Sequence, residues 1–290
     1  MVKRYKVICP LINLNIPNVL IGHPELSPEE VFREQEKKLV EGIDLFNGVK
    51  IRRISKEDLE DLKNSIFPLP LDTVVSPNMF VLEKYITTKD GHDFQLDQTM
   101  RNMILAMRLL KKGYVSGNAI FYILVSEKRE FTSVEWSWEG GQRLEPLGFK
   151  YVFYFDEIPA LKKKIEKTQG IDFAKQKRLH LACKRFQHAY DEDDLEDQLI
   201  DFMIAFEALF VRKEIAEASK REKIAIGCSD LLGKNEEEKE EIRSFLTKAY
   251  STRNLIVHGV EYKIKDEYGM LEVVSKTEDY LRASLNKLLN

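Results

Sequence analysis

From Ile158 to its end the chain shows no strand-like alternation, and this most narrows what it can fold into. Apolar residues recur at three- and four-residue spacing through Ala160–Thr168, Asp172–Tyr190, Asp194–Arg212, Ser219–Leu232, Glu236–His258 and Thr277–Leu289. Roughly 120 residues with that period and no strands can bury their apolar faces only by packing helix on helix. The segment Ile158–Thr168 fits either side of the change, so the boundary falls near Gly170.

Upstream, the pattern alternates. Val2–Cys9, Val49–Ile54 and Met79–Thr87 are rich in β-branched and aromatic residues and predict strands. Pro28–Phe46 carries Val31, Phe32, Leu39, Ile43 and Phe46 at helical spacing. Ser55 with Asp58 three residues on predicts a helix start for Lys56–Ile66. Leu96–Lys112 places Leu96, Met100, Met103, Ile104, Met107 and Leu110 on one helical face, and Gly113 follows as a stop. Ala119–Val125, Phe131–Trp138 and Tyr151–Phe155 predict a strand cluster, antiparallel in part. The fold class expected is therefore an α+β N-terminal domain over 1–169, followed by an all-α helical bundle over 170–290. No catalytic motif is evident in the first domain.

Composition excludes several classes. With 43% hydrophobic and 32% charged residues, the chain resembles a well-covered globular protein. Its 45 basic and 48 acidic residues leave a net charge of −3, so an RNA partner must be met by a local basic surface. Cys9, Cys183 and Cys228 form no CxxC or Cys/His pattern, which fits structural cysteines in a reducing compartment. The apolar turn of the N-terminus is broken by Pro10, Asn13, Asn15, Pro17 and Asn18. No uninterrupted stretch of about 18 apolar residues occurs, so the expectation is a cytoplasmic protein without a membrane partner. Gly-rich phosphate loops, Ser or Cys nucleophile motifs and HExxH are absent, and no cofactor or metal is expected.

Three sequence pieces in the helical half stand together. The first is Arg185-Phe186-Gln187-His188-Ala189-Tyr190, followed closely by Glu196-Asp197-Gln198-Leu199-Ile200-Asp201. The second is Ile204-Ala205-Phe206-Glu207-Ala208-Leu209-Phe210, an apolar helix interrupted by one glutamate. The third is Ala249-Tyr250-Ser251-Thr252-Arg253-Asn254-Leu255-Ile256-Val257-His258-Gly259. In this order the region resembles the ApeA-like branch of HEPN domains. The resemblance is confined to the C-terminal part of the chain. It implies a HEPN-type helical bundle that forms a homodimer. In catalytic members of that family, Arg-x4-6-His motifs of two subunits line a shared cleft that cuts RNA without metal. Other members are not known to cut, so the resemblance equally admits a non-catalytic RNA-binding or dimerisation module. As an endoribonuclease, the protein would belong to defence or stress response.

The residues themselves support a candidate set. On a helix through Glu241–His258, Arg253 lies on the stripe of Ile242, Phe245, Leu246, Ala249 and Ile256. A guanidinium there must meet a carboxylate, a partner chain or a phosphate. Ser251, Asn254 and His258 form a second, polar strip. Arg253 and His258 lie about 140° apart around the axis, so only the length of the arginine lets both reach one cleft. In the catalytic reading His258 moves a proton, Arg253 stabilises charge on phosphate, and Asn254 orients the histidine or holds the phosphate. Tyr250, Ser251 and Glu207 would support them.

In the structural reading His258 caps its own helix, and Arg253 pairs with Glu207 or Asp201. Glu207 needs a partner in either case, with Arg253 and Arg221 as candidates. His180 and His188 are eight residues apart with no third ligand at metal spacing, and are read as satisfied or solvated. Lys162–Lys164 and Lys175–Arg178 are read as solvated basic faces, and Trp136 with Trp138 as packing residues.

Overall fold

In the computed structural model the described residues are 2–17, 27–63, 78–117, 119–125, 131–136, 150–211, 219–261 and 267–289. They divide into two compact units, one covering the described residues up to Gln169 and the other those from Gly170 on. The first contains a sheet with helices, and the second is helical.

The N-terminal unit is built on six strands: β1 Lys3–Leu11, β3 Ile43–Phe46, β4 Val49–Arg53, β5 Phe80–Thr88, β6 Ala119–Leu124 and β7 Phe131–Trp136. They lie in the order β3-β4-β5-β1-β6-β7, with every neighbouring pair antiparallel. β1 sits inside the sheet, and its last seven residues are buried on both faces, so it does not alternate as a half-exposed strand would. Tyr5, Val7, Cys9 and Leu11 join a core with Met100, Met103 and Met107 of α3 (Phe94–Leu110). Ile8 points the other way, into a smaller cluster with Val81, Phe121, Ile123 and Leu62 of α2 (Lys56–Lys63). A two-residue strand β2 (Leu14–Asn15) pairs in parallel with β8 (Tyr151–Val152).

The helix α4 (Ile158–Gln169) belongs to this unit. Its Thr168 hydroxyl donates to Asn102 O of α3 at 3.2 Å, and Gln169 Nε2 donates to Thr99 O at 2.8 Å. The unit also buries charge. Asp58, fully buried, is paired with Lys6 and with Arg52 (2.6 Å), while Arg52 also pairs with Glu83. Asp58 and Ser55 cap α2 reciprocally, with Asp58 N donating to Ser55 Oγ at 3.1 Å and Ser55 N to Asp58 Oδ2 at 3.3 Å.

Three sequence boundaries are corrected here, the first being that the helix expected from Asp172 starts only at Lys177. The helix expected over Pro28–Phe46 ends at Glu41, because Gly42 takes φ +86° and turns the chain into β3. Ile43 and Phe46, which matched the helical spacing, are strand residues. The last helix, expected to start at Thr277, already begins at Glu267 and runs to Leu288. The parts of the expected elements at 64–66, 137–138 and Arg212 lie outside the described residues, as do the Trp136 and Trp138 side chains.

The C-terminal unit contains α5 (Lys177–His188), α6 (Leu195–Phe210), α7 (Lys220–Leu232), α8 (Glu236–Val257) and α9 (Glu267–Leu288). α6 packs against each of the other four. Its composition explains the position: Leu199, Phe202, Met203, Ala205 and Phe206 are buried around much of its circumference. Arg178 closes its C-terminal end, donating to the carbonyls of Ala208, Leu209 and Val211 at 2.8–3.1 Å. That arginine, read from sequence as part of a solvated basic face, is a helix cap. No helix among the described residues is long and apolar enough to cross a membrane.

Candidate functional site

The motif helix α8 starts at Asn235, whose side chain accepts from Glu238 N at 2.8 Å, and Glu236, Glu237 and Glu238 complement the positive end of the helix dipole. Ile242, Leu246, Ala249 and Tyr250 face the bundle core. Arg253 continues that face one turn later, with 18% of its side chain exposed.

Glu207, on α6, is where the site converges. Its Oε1 accepts from the Tyr250 hydroxyl at 3.1 Å and lies 3.6 Å from Arg253 Nη2. Its Oε2 accepts from Lys220 Nζ at 3.0 Å. Lys220 is held in the first turn of α7 by the Ser219–Glu222 capping box. One carboxylate thus faces two cations, and these three side chains carry a net charge of +1. Burial first, and the Glu207 carboxylate second, push the Tyr250 phenol above its ordinary range, so it stays a hydrogen-bond donor.

Arg253 has further contacts on its own helix. Nη1 donates to Asn254 Oδ1 at 3.1 Å, and the guanidinium lies 5.7 Å from the Tyr250 ring centroid. Its Nε is buried and has no hydrogen-bond partner among the described residues. Asn254 therefore contacts the arginine through its side chain. Ser251 donates to Thr247 O of its own helix at 2.9 Å, so its hydroxyl is turned back to the backbone of α8.

His258 sits apart from this group. It is the residue at which α8 ends, with φ −91° and ψ 3°, and its side chain is exposed. Gly259 follows at φ +63°. Val260 N donates to Leu255 O at 2.9 Å and Gly259 N to Ile256 O at 3.0 Å, the paired bonds of a Schellman ending. This turn leaves Leu255, Val257 and Val260 exposed at 37%, 51% and 50% around the histidine. Within one chain, then, Arg253 is drawn towards Glu207 while His258 faces outward with apolar neighbours.

Of the partners read from sequence, Arg253 does approach Glu207. Arg221 is exposed, and its neighbour Lys220 makes the contact instead. Asp201 is held by Arg185 at 2.8 Å. Lys220 was not legible as a site residue because its approach depends on how α7 packs on α6. Compared with family models, with curated proteins and with solved structures, the chain finds no match.

Proposed function

We propose that the helical unit is a HEPN-type module that binds RNA phosphate and cuts RNA without a metal, at a site completed by a second copy of the chain. The observation that carries this reading is the charge imbalance at Glu207, where Arg253 and Lys220 share one carboxylate. The half-buried guanidinium, with its distant ion pair and an Nε that has no partner among the described residues, has donor capacity left for a phosphate.

Exposed His258 supplies the proton-transfer group. The RNA 2′-hydroxyl attacks the adjacent phosphorus as His258 accepts its proton, and the bond to the 5′-oxygen breaks. A second proton, delivered to that oxygen by the His258 of the other copy, leaves a 2′,3′-cyclic phosphate and a 5′-hydroxyl. Arg253 stabilises the charge that builds on the phosphate oxygens. The exposed Leu255, Val257 and Val260 give the second copy an apolar surface beside the histidine. Defence or stress response is the setting that the family resemblance suggests for such an activity.

A non-catalytic assembly module is the second reading. It is favoured by the contacts of Arg253 with Glu207, Asn254 and Tyr250, which suit a structural pin. Cleavage of end-labelled single-stranded and structured RNA in EDTA separates the two. Wild type should cut and leave cyclic-phosphate ends, and His258→Ala should not. Equal cutting by both, or by neither, favours the assembly module.

A further inference from the structure

The corner between α5 and α6 brings together three potential metal ligands from three different segments. His188 ends α5, Glu192 lies in the connecting turn, and Asp201 lies in the second turn of α6. One ligand atom of each lies within 4.8 Å of the others. Their sequence spacing is His-x3-Glu-x8-Asp, which matches no common metal motif. The convergence comes from the reversal of the chain. Asp191 N donates to His188 O at 2.7 Å, and Gln198 Nε2 donates to Glu192 O at 3.3 Å, which hold the turn against α6.

Asp201 gives an independent reason to look for a ligand here. It is only 4% exposed. Its Oδ1 accepts from Arg185 Nη1 at 2.8 Å, whereas its Oδ2, also buried, has no hydrogen-bond partner among the described residues. A buried carboxylate oxygen without a partner is costly. That oxygen faces His188 Nδ1 at 3.9 Å, too long for a hydrogen bond and wide enough for an ion to lie between them.

We infer that His188, Glu192 and Asp201 form a binding site for one divalent transition-metal ion, with zinc as the best match to one imidazole and two carboxylates. Bonds of about 2.0–2.2 Å bring ligand atoms to roughly 3.0–3.5 Å from one another, so the cluster must contract by about an ångström. Glu192, half-buried on a turn, is the residue that can move most easily. The two carboxylates outweigh the single charge of Arg185, and the ion removes the excess negative charge. The imidazole distinguishes the site from one built for magnesium or calcium. None of the three ligands belongs to the Arg253–His258 set, so the ion fixes the α5–α6 corner and takes no part in the proposed cleavage.

The test is calorimetric titration of chelator-treated full-length protein with zinc chloride, and with magnesium chloride as control, alongside thermal melts. One zinc equivalent should bind saturably and raise the melting temperature, with magnesium neither binding at that affinity nor competing. Glu192→Gln and His188→Gln should each weaken zinc at least about tenfold, by analogy with losses seen around other metal centres. Asp201→Asn should do the same. If that variant does not fold, the two other substitutions decide. The proposal is overturned if zinc fails to saturate at one equivalent, or if its affinity is unchanged in Glu192→Gln and His188→Gln. It is also overturned if zinc does not shift the melt, which is the result expected of a simple His188–Asp201 ion pair.

Discussion

Replacing Glu207 with glutamine should move stability and RNA affinity in opposite directions. The substitution keeps the side-chain volume and removes the charge that Arg253 and Lys220 share. At 3.6 Å and an effective dielectric near 20, the Arg253 attraction is about 4–5 kcal/mol before desolvation is subtracted. Desolvation of two partly buried groups returns more than half of this, leaving about 1–2 kcal/mol. Lys220, 60% exposed, adds less than about 1 kcal/mol, and the weaker acceptor offered to Tyr250 adds roughly 0.5 kcal/mol. The helical unit should therefore lose about 2–3 kcal/mol in urea unfolding followed by circular dichroism. In a double-mutant cycle, Arg253→Gln should cost much less in the Glu207→Gln background than in wild type. Meanwhile two cations lose their competitor carboxylate, so single-stranded RNA should bind several-fold more tightly in fluorescence anisotropy at low salt. Lower stability with unchanged or weaker RNA binding would refute the phosphate reading and leave Glu207 a purely structural residue. A stability change under about 0.5 kcal/mol would refute the pairing itself.

Other predictions concern the rest of the fold. Burial alone would raise the pKa of Asp58, but Lys6 and Arg52 more than offset this and hold it below the ordinary value of 3.8. Its contribution is therefore present above that value and fades as pH falls through the lower folded-state value. Asp58→Asn should cost about 3 kcal/mol at neutral pH and flatten the acid side of the stability profile, and an unchanged profile would contradict this. Burial pushes the thiols of Cys9, Cys183 and Cys228 up to about 12 each, so native protein should resist iodoacetamide and react only on unfolding. Rapid labelling of the folded protein would show that these cores are misassigned. Gly259→Ala places a side chain at φ +63° in otherwise open space, so its cost of about 1–2 kcal/mol is conformational. Urea unfolding checks the cost, and a neutral substitution would argue against the helix ending described.

What the sequence reveals depends on how local the cause is. The Ser55–Asp58 cap and the α3 stripe each arise within a few residues, and both are legible as patterns. The end of the first helix, Pro28–Glu41, is not legible because Ile43 and Phe46 satisfy helical spacing and strand burial equally, and the φ of Gly42 decides between them. Within the site, the Arg253–Glu207 approach follows from the cost of burying a lone guanidinium, so it was foreseeable. Choosing Lys220 over Arg221 requires the rotation of α7 against α6, and bringing Glu192 to His188 and Asp201 requires the reversal between α5 and α6. Neither is encoded in one element's periodicity.

The central claim is that cleavage needs two copies, because one chain turns Arg253 inward and His258 outward. The most direct test measures RNA cleavage per chain in EDTA across a protein dilution series, with association followed in parallel by sedimentation. Activity per chain should rise with the dimer fraction, and Val257→Asp should abolish dimer and cleavage together while preserving the helical circular dichroism signal. Constant activity per chain through the monomeric range, or a stable dimer that never cuts RNA, would contradict the account.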